Sequence, residues 1–226
     1  MVDSSSRSVA VGAFASAISG LAGAIAVKVW LVPGLPLGGN DVLKRASYVV
    51  RHHKCWTWGW LLAALGAILV VNLYRLLAER WILEGGSACR FALCLGTAGL
   101  AIDLAGIAIW IVVAPGPGEG GFEIAEHIAS ALSLFAAKIL YAAAGLMLTW
   151  AGRRELPGLL SGLALIVWLC GFAVASFTLC ACDRPQFYSL ALLALTYIAW
   201  ATLIGFHFRK PVREWPPRSY HPDPRD

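Results

Sequence analysis

The sequence predicts an all-α polytopic membrane protein, a bundle of six transmembrane helices with both termini on the cytoplasmic side. Three observations carry that expectation. Of 226 residues, 59% are hydrophobic and only 14% are charged, and the mean hydropathy of +0.70 lies outside the range of water-soluble domains. Apolar stretches of about 20 residues, the length that crosses a hydrocarbon core of roughly 30 Å, recur along the whole chain with short connections between them. These stretches are rich in Ala, Leu and Gly and lack the alternation of barrel strands, so helices must satisfy the backbone in lipid.

The first span is expected at 10–32. It follows one Arg and several small residues, a start that has features of a signal peptide, but the apolar run continues through Trp30, Leu31 and Val32 and reads as a retained anchor. "VPGLPLGGN" ends it. Spans at 56–77 and 89–114 follow, and "APGPGEGG" closes the third. The fourth, 124–151, is separated by "GRRELPG" from the fifth, 157–182, and "CDRPQ" leads to the sixth at 187–208, after which a short basic tail occupies 209–226. Gly and Pro punctuate these breaks, and connections this short make consecutive helices antiparallel neighbours in one domain.

The segment "WLVPGLPLGGN", followed by "YVVRHHKCWTWGWLLAALGAILVVNLYRLL", resembles uncharacterised bacterial families of small six-span integral membrane proteins. The resemblance implies a Pro-containing loop after the first helix, a short extended linker, a Gly-rich second helix and residence in a bacterial inner membrane. It carries over no functional residue.

Lys and Arg in the loops set orientation. With both termini inside, the inner face holds eleven: Arg7, Arg75, Arg80, Arg90, Arg153, Arg154, Arg209, Lys210, Arg213, Arg218 and Arg225. The outer face holds five: Lys44, Arg45, Arg51, Lys54 and Arg184. Trp30, Trp56, Trp58, Trp60 and Trp110 fall at expected outer ends, Trp81 and Trp150 near inner ones, as aromatic belts would. The net charge of +5 and the basic tail suit a surface facing anionic lipid, so the lipid bilayer is the expected partner and nucleic acid is not. A membrane-protein partner or a homo-oligomer is compatible with the outward surface of six spans.

Small residues recur at helical spacing: Gly12, Ser16, Gly20 and Gly23 on the first span, Gly96, Gly99 and Gly106 on the third, Gly158 and Gly162 on the fifth. Such stripes let backbones approach closely in lipid. Asp103 lies on the third stripe, four residues after Gly99 and three before Gly106, and therefore looks into the bundle near mid-membrane. Lys138 on the next helix lies within roughly one turn of the same depth, so the two are expected to form a buried ion pair or share a small polar cavity, each being costly alone. His127 precedes Lys138 by eleven residues, about 20° apart around an ideal α-helix. With Ser130 and Tyr141 these residues make one polar stripe, and Lys28 is placed to pair with Glu126.

Two readings of this intramembrane cluster (Asp103, Lys138, His127, Glu126, Tyr141, Lys28) compete. One is structural: the pair fixes helix register in a protein with an accessory or assembly role. The other is a small transporter or ion- or proton-conducting protein, since titratable groups along a wet path can load and release. A dry, closed Asp103–Lys138 contact favours the first; a water-sized tunnel from His127 towards Asp103 favours the second.

Other chemistries find little footing. Cys55, Cys180 and Cys182 gather at the outer end, where an oxidising compartment would permit a disulfide, while "HHKC" and "CAC" match no metal-ligand spacing. The histidines lie at unmatched depths for haem. No HExxH, GxSxG, P-loop or GxGxxG is present, so no metal, cofactor or enzymatic reaction is expected.

Overall fold

The computed structural model describes residues 4–36, 41–116 and 118–209. The tail from residue 210 onward, on which part of the charge argument rests, lies outside the described residues.

Helix α1 (Ser4–Ala26) continues through a π-helical turn, Val27–Leu31, and a 3₁₀ turn, Val32–Gly34. Helix α2 (Val42–Arg51) is short. Helix α3 (His53–Ala108) is a pair of arms, ending in a second π-helical turn at Ile109–Val113. Helix α4 (Gly118–Ser130) passes through a third, Ala131–Ala136, into α5 (Ala137–Ala151). Helices α6 (Gly158–Leu179) and α7 (Asp183–Arg209) follow. Six segments are long and apolar enough to span a membrane: Ser4–Gly34, His53–Ile82, Gly86–Val113, Gly120–Ala151, Gly158–Leu179 and Asp183–Arg209. No strand occurs among the described residues.

The arms of α3 meet at Gly86, where φ is +42° and ψ −115°. That left-handed region is open to glycine at little cost and closed to most side chains. The chain doubles back there, and Gly96 on the second arm packs against the ring of Tyr74 on the first.

Neighbours close into a ring. Helix α1 packs on α3 and α7, α3 on α5, α5 on α6, and α6 on α7. Many large apolar side chains point outward, among them Ile18, Val112, Leu159, Leu169 and Leu195, as a lipid-facing girdle requires. Inside, one apolar cluster holds Tyr74, Trp168, Trp200 and Ile204. A second, at the α2 end, holds Leu31, Val49, Trp56, Trp60, Trp110 and Phe122.

Four expectations need correction. Residues 42–51 form a helix rather than an extended linker, because Asp41 caps it, accepting from the Lys44 N–H at 2.8 Å, and Val42, Arg45 and Val49 share one inward face. Trp56, Trp60 and Trp110 are buried rather than belted: Trp60 stacks on Trp110 with centroids 5.4 Å apart, and Trp56 Nε1 donates to the Trp110 carbonyl at 2.8 Å. Trp81 is also buried, donating to Glu155 at 2.7 Å, whereas Trp58 and Trp150 are exposed as a belt requires. The fifth-span stripe makes no close approach, since nothing lies within 4 Å of where a Cβ would stand at Gly158 or Gly162.

Candidate functional site

Asp103 takes its position from the close approach of the second arm of α3 to the segment 129–141. A Cβ at Gly99 would stand 3.1 Å from the Tyr141 ring, and one at Gly106 would stand 3.0 Å from the Ala129 carbonyl oxygen, so only glycine lets these backbones meet at this spacing. Between those two contacts Asp103 faces inward. Its carboxylate meets Lys138 Nζ at 3.4 Å, and its backbone carbonyl accepts from Ser133 Oγ at 3.2 Å.

The pair is asymmetric. The Asp103 side chain is 6% exposed and that of Lys138 is 20% exposed, so the carboxylate partner is the more deeply buried of the two. Lys138 Nζ also lies over the Tyr141 ring, 5.3 Å from its centroid, a cation–π geometry. The Tyr141 hydroxyl is buried near Asp103 without a hydrogen bond of normal geometry.

Both charges line a chamber of about 250 Å³ in the middle of the ring. Every span contributes a wall residue: Ser16 on α1, Ala67 and Asp103 on the two arms of α3, Lys138 on α5, Trp168 on α6 and Tyr197 on α7. The walls are mostly apolar. Polar groups on the far walls are already engaged, Tyr197 with Ser16 at 2.5 Å and Tyr74 donating to the Tyr141 carbonyl at 3.1 Å.

A second cavity of about 240 Å³ lies at the α2 end and is markedly more polar, with Glu126, His127, Ser130, Asp183 and Gln186 in its lining. Leu35 and Leu134 line both cavities, so a polar vestibule adjoins the chamber of the Asp103–Lys138 pair at these two leucines. Two π-helical turns, Val27–Leu31 and Ala131–Ala136, contribute residues to the cavity walls. Such wide turns occur as local insertions in α-helices and re-aim the side chains beyond them.

The expected polar stripe on the fourth span is accordingly split. The turn Ala131–Ala136 intervenes between His127 and Lys138, changing the register computed for an ideal helix, and Leu134 separates them. His127 and Ser130 belong to the vestibule, Lys138 and Tyr141 to the chamber. His127 is exposed, its Nδ1–H donating to the Glu123 carbonyl at 2.8 Å.

Glu126 does not pair with Lys28. Helix α2 brings Arg45 to it instead, with Arg45 Nε at 3.1 Å from Oε1 and Nη2 at 2.5 Å from Oε2, the bidentate fork that suits a carboxylate. Lys28 lies over the Phe187 ring, 5.5 Å from its centroid. Arg45 was legible in principle: in "DVLKRASYVVR" it falls on the Val42–Val49 face, an inward cation that requires a buried anion.

A third charged group closes the opposite end. Arg80 pairs with Glu155 in the α5–α6 connection, donates to Ser6 Oγ at 2.8 Å and lies 4.9 Å from the centroid of the Phe208 ring. It ties α1, α3, the α5–α6 connection and α7 together.

Cys55, Cys180 and Cys182, the bridge candidates, are free thiols in this structure. No group of three or more His, Cys, Asp or Glu is placed to hold a metal among the described residues. Comparison of the chain with protein-family models, with curated proteins and with solved structures finds no match.

Proposed function

We propose that this multi-pass membrane protein is a small transporter whose solute site is the central chamber at the Asp103–Lys138 pair. One observation carries the reading: the pair lines a cavity of about 250 Å³ adjoining a polar vestibule, with Leu35 and Leu134 common to both. A site near the bilayer midplane, charged groups around a cavity, irregular helix beside it and an apolar boundary with a vestibule on one side are the parts that alternating access uses. On the orientation expected from loop charges, the vestibule faces outward and the Arg80–Glu155 cluster closes the cytoplasmic end. Movement of the two leucines would expose the chamber to the vestibule, and loosening of the cluster would open it inward.

The test needs no knowledge of the solute. With the native cysteines replaced, Ala63→Cys places a thiol in the chamber lining, and membrane-impermeant thiol reagents are applied to sealed vesicles from each side in turn. Labelling from both sides is expected. Labelling from one side only, or from neither, overturns the reading.

The register-fixing role remains the second reading, favoured by the direct Lys138–Asp103 contact at 3.4 Å. It requires the pair to stabilise the fold strongly, so that Asp103→Asn or Lys138→Met alone would cost about 3–5 kcal/mol in an unfolding equilibrium.

A further inference from the structure

We infer that the chamber takes an apolar monocarboxylate, with its anionic head on Lys138 and its hydrocarbon body against the apolar wall. The inference rests on the transport reading for its biological setting, and on the geometry of the chamber for its chemistry.

Which charge the ligand carries follows from the asymmetry of the pair. Lys138 is the more exposed partner, 20% against 6% for Asp103, and its side chain lines the chamber. An ammonium has three donors. Asp103 takes one of them through a single oxygen at 3.4 Å, the weak end of hydrogen-bond distance, and Tyr141 offers its ring face rather than an acceptor. Donor capacity towards an incoming anion is thus in surplus, whereas a cationic ligand would meet a more deeply buried carboxylate that already holds an ammonium.

The rest of the ligand follows from the walls. Val70, Ile107, Leu134, Leu193 and Trp168 bound most of the space, and burying hydrocarbon against them contributes about 25 cal/mol per Å². A volume of about 250 Å³, room for roughly eight waters at about 30 Å³ each, lies just below the usual range of small-molecule sites. It excludes a two-chain lipid and suits a compact acid with an aliphatic or aromatic body. A small hydrophilic anion would leave the apolar wall unfilled.

The probe is hexanoate added to the full-length protein in detergent, followed by the fluorescence of the tryptophans, of which Trp60 and Trp168 line the chamber. Saturable quenching by hexanoate and by benzoate is expected, with no competition from hexylammonium and little effect of acetate. Lys138→Met should weaken hexanoate binding at least tenfold and Lys138→Arg should keep it. Ala63→Phe, which fills the chamber while leaving Lys138 in place, should abolish binding without lowering the melting temperature below that of Lys138→Arg. Absence of saturable hexanoate binding by the parent, or equal binding by the parent, Lys138→Met and Ala63→Phe, overturns the inference. Its failure is separable from that of the transport reading: hexanoate binding with labelling of Ala63→Cys from one side only ends transport and keeps the ligand class. Two-sided labelling without carboxylate binding does the reverse.

Discussion

Glu126 is gripped by two nitrogens of Arg45, their side chains only 5% and 9% exposed, whereas Asp103 meets Lys138 at one oxygen beside a chamber. Orphaning a tightly buried charge typically costs about 3–5 kcal/mol, and removing both partners restores most of it. Unfolding equilibria in detergent should therefore show losses of that size for Arg45→Met and Glu126→Gln separately, with most of the loss recovered in the double variant. Asp103→Asn and Lys138→Met should each cost about 1–2 kcal/mol, because water in the chamber can solvate the remaining group. If the second pair proves as costly as the first, the register-fixing reading gains at the expense of transport. Glu155 adds a pH dependence at the other end of the bundle. Burial pushes its carboxyl up, but hydrogen bonds from Arg80 and Trp81 and the charges of Arg80 and His207 outweigh that and hold it below its ordinary value. A depressed folded-state pKa stabilises above the unfolded value and loses that contribution as pH falls through the folded one. The melting temperature should fall below about pH 4.5, and Glu155→Gln should flatten that acid limb.

At the scale of elements, α2 is the part with the most leverage, since it carries Arg45 to Glu126 and Val49 against Trp56. Removing its cap with Asp41→Ala should speed amide exchange across 42–51 while leaving α6 unchanged, as read by hydrogen–deuterium exchange. The six long helices were legible because length and apolarity alone decide them in lipid, and Asp103 and Lys138 were legible because glycine spacing and depth are both local arithmetic. Helix α2 was obscured by its charges: Lys44, Arg45 and Arg51 read as an outer loop until the Val42–Val49 face is set against them. The split of His127 from Lys138 could not be anticipated at all, because a π-helical turn leaves no residue signature in "ALSLFA". The Trp56–Trp60–Trp110 block was misplaced for a related reason. Belt position is a matter of depth along the membrane normal, and depth alone does not distinguish a ring facing lipid from one facing α2.

The molecule as a whole is a ring of spans around one chamber, with charged contacts towards both ends and a vestibule adjoining at two leucines on one side. Leu134→Ala should therefore raise the labelling rate of Ala63→Cys from the vestibule side several-fold, leave Ser130→Cys, already in the vestibule, unaffected, and change the melting temperature little. An unchanged Ala63→Cys rate would place the barrier elsewhere. The order of the ring has a further consequence for biogenesis. Helix α1 makes its second lateral contact with α7, and the Arg80 cluster is completed by Phe208 near the end of α7. Until α7, the last of the described spans, docks on α1 and α6, the earlier spans form an open arc whose concave side includes Lys138. The chamber is thus completed by the last of the described helices, and its first occupant is whatever the membrane has left inside.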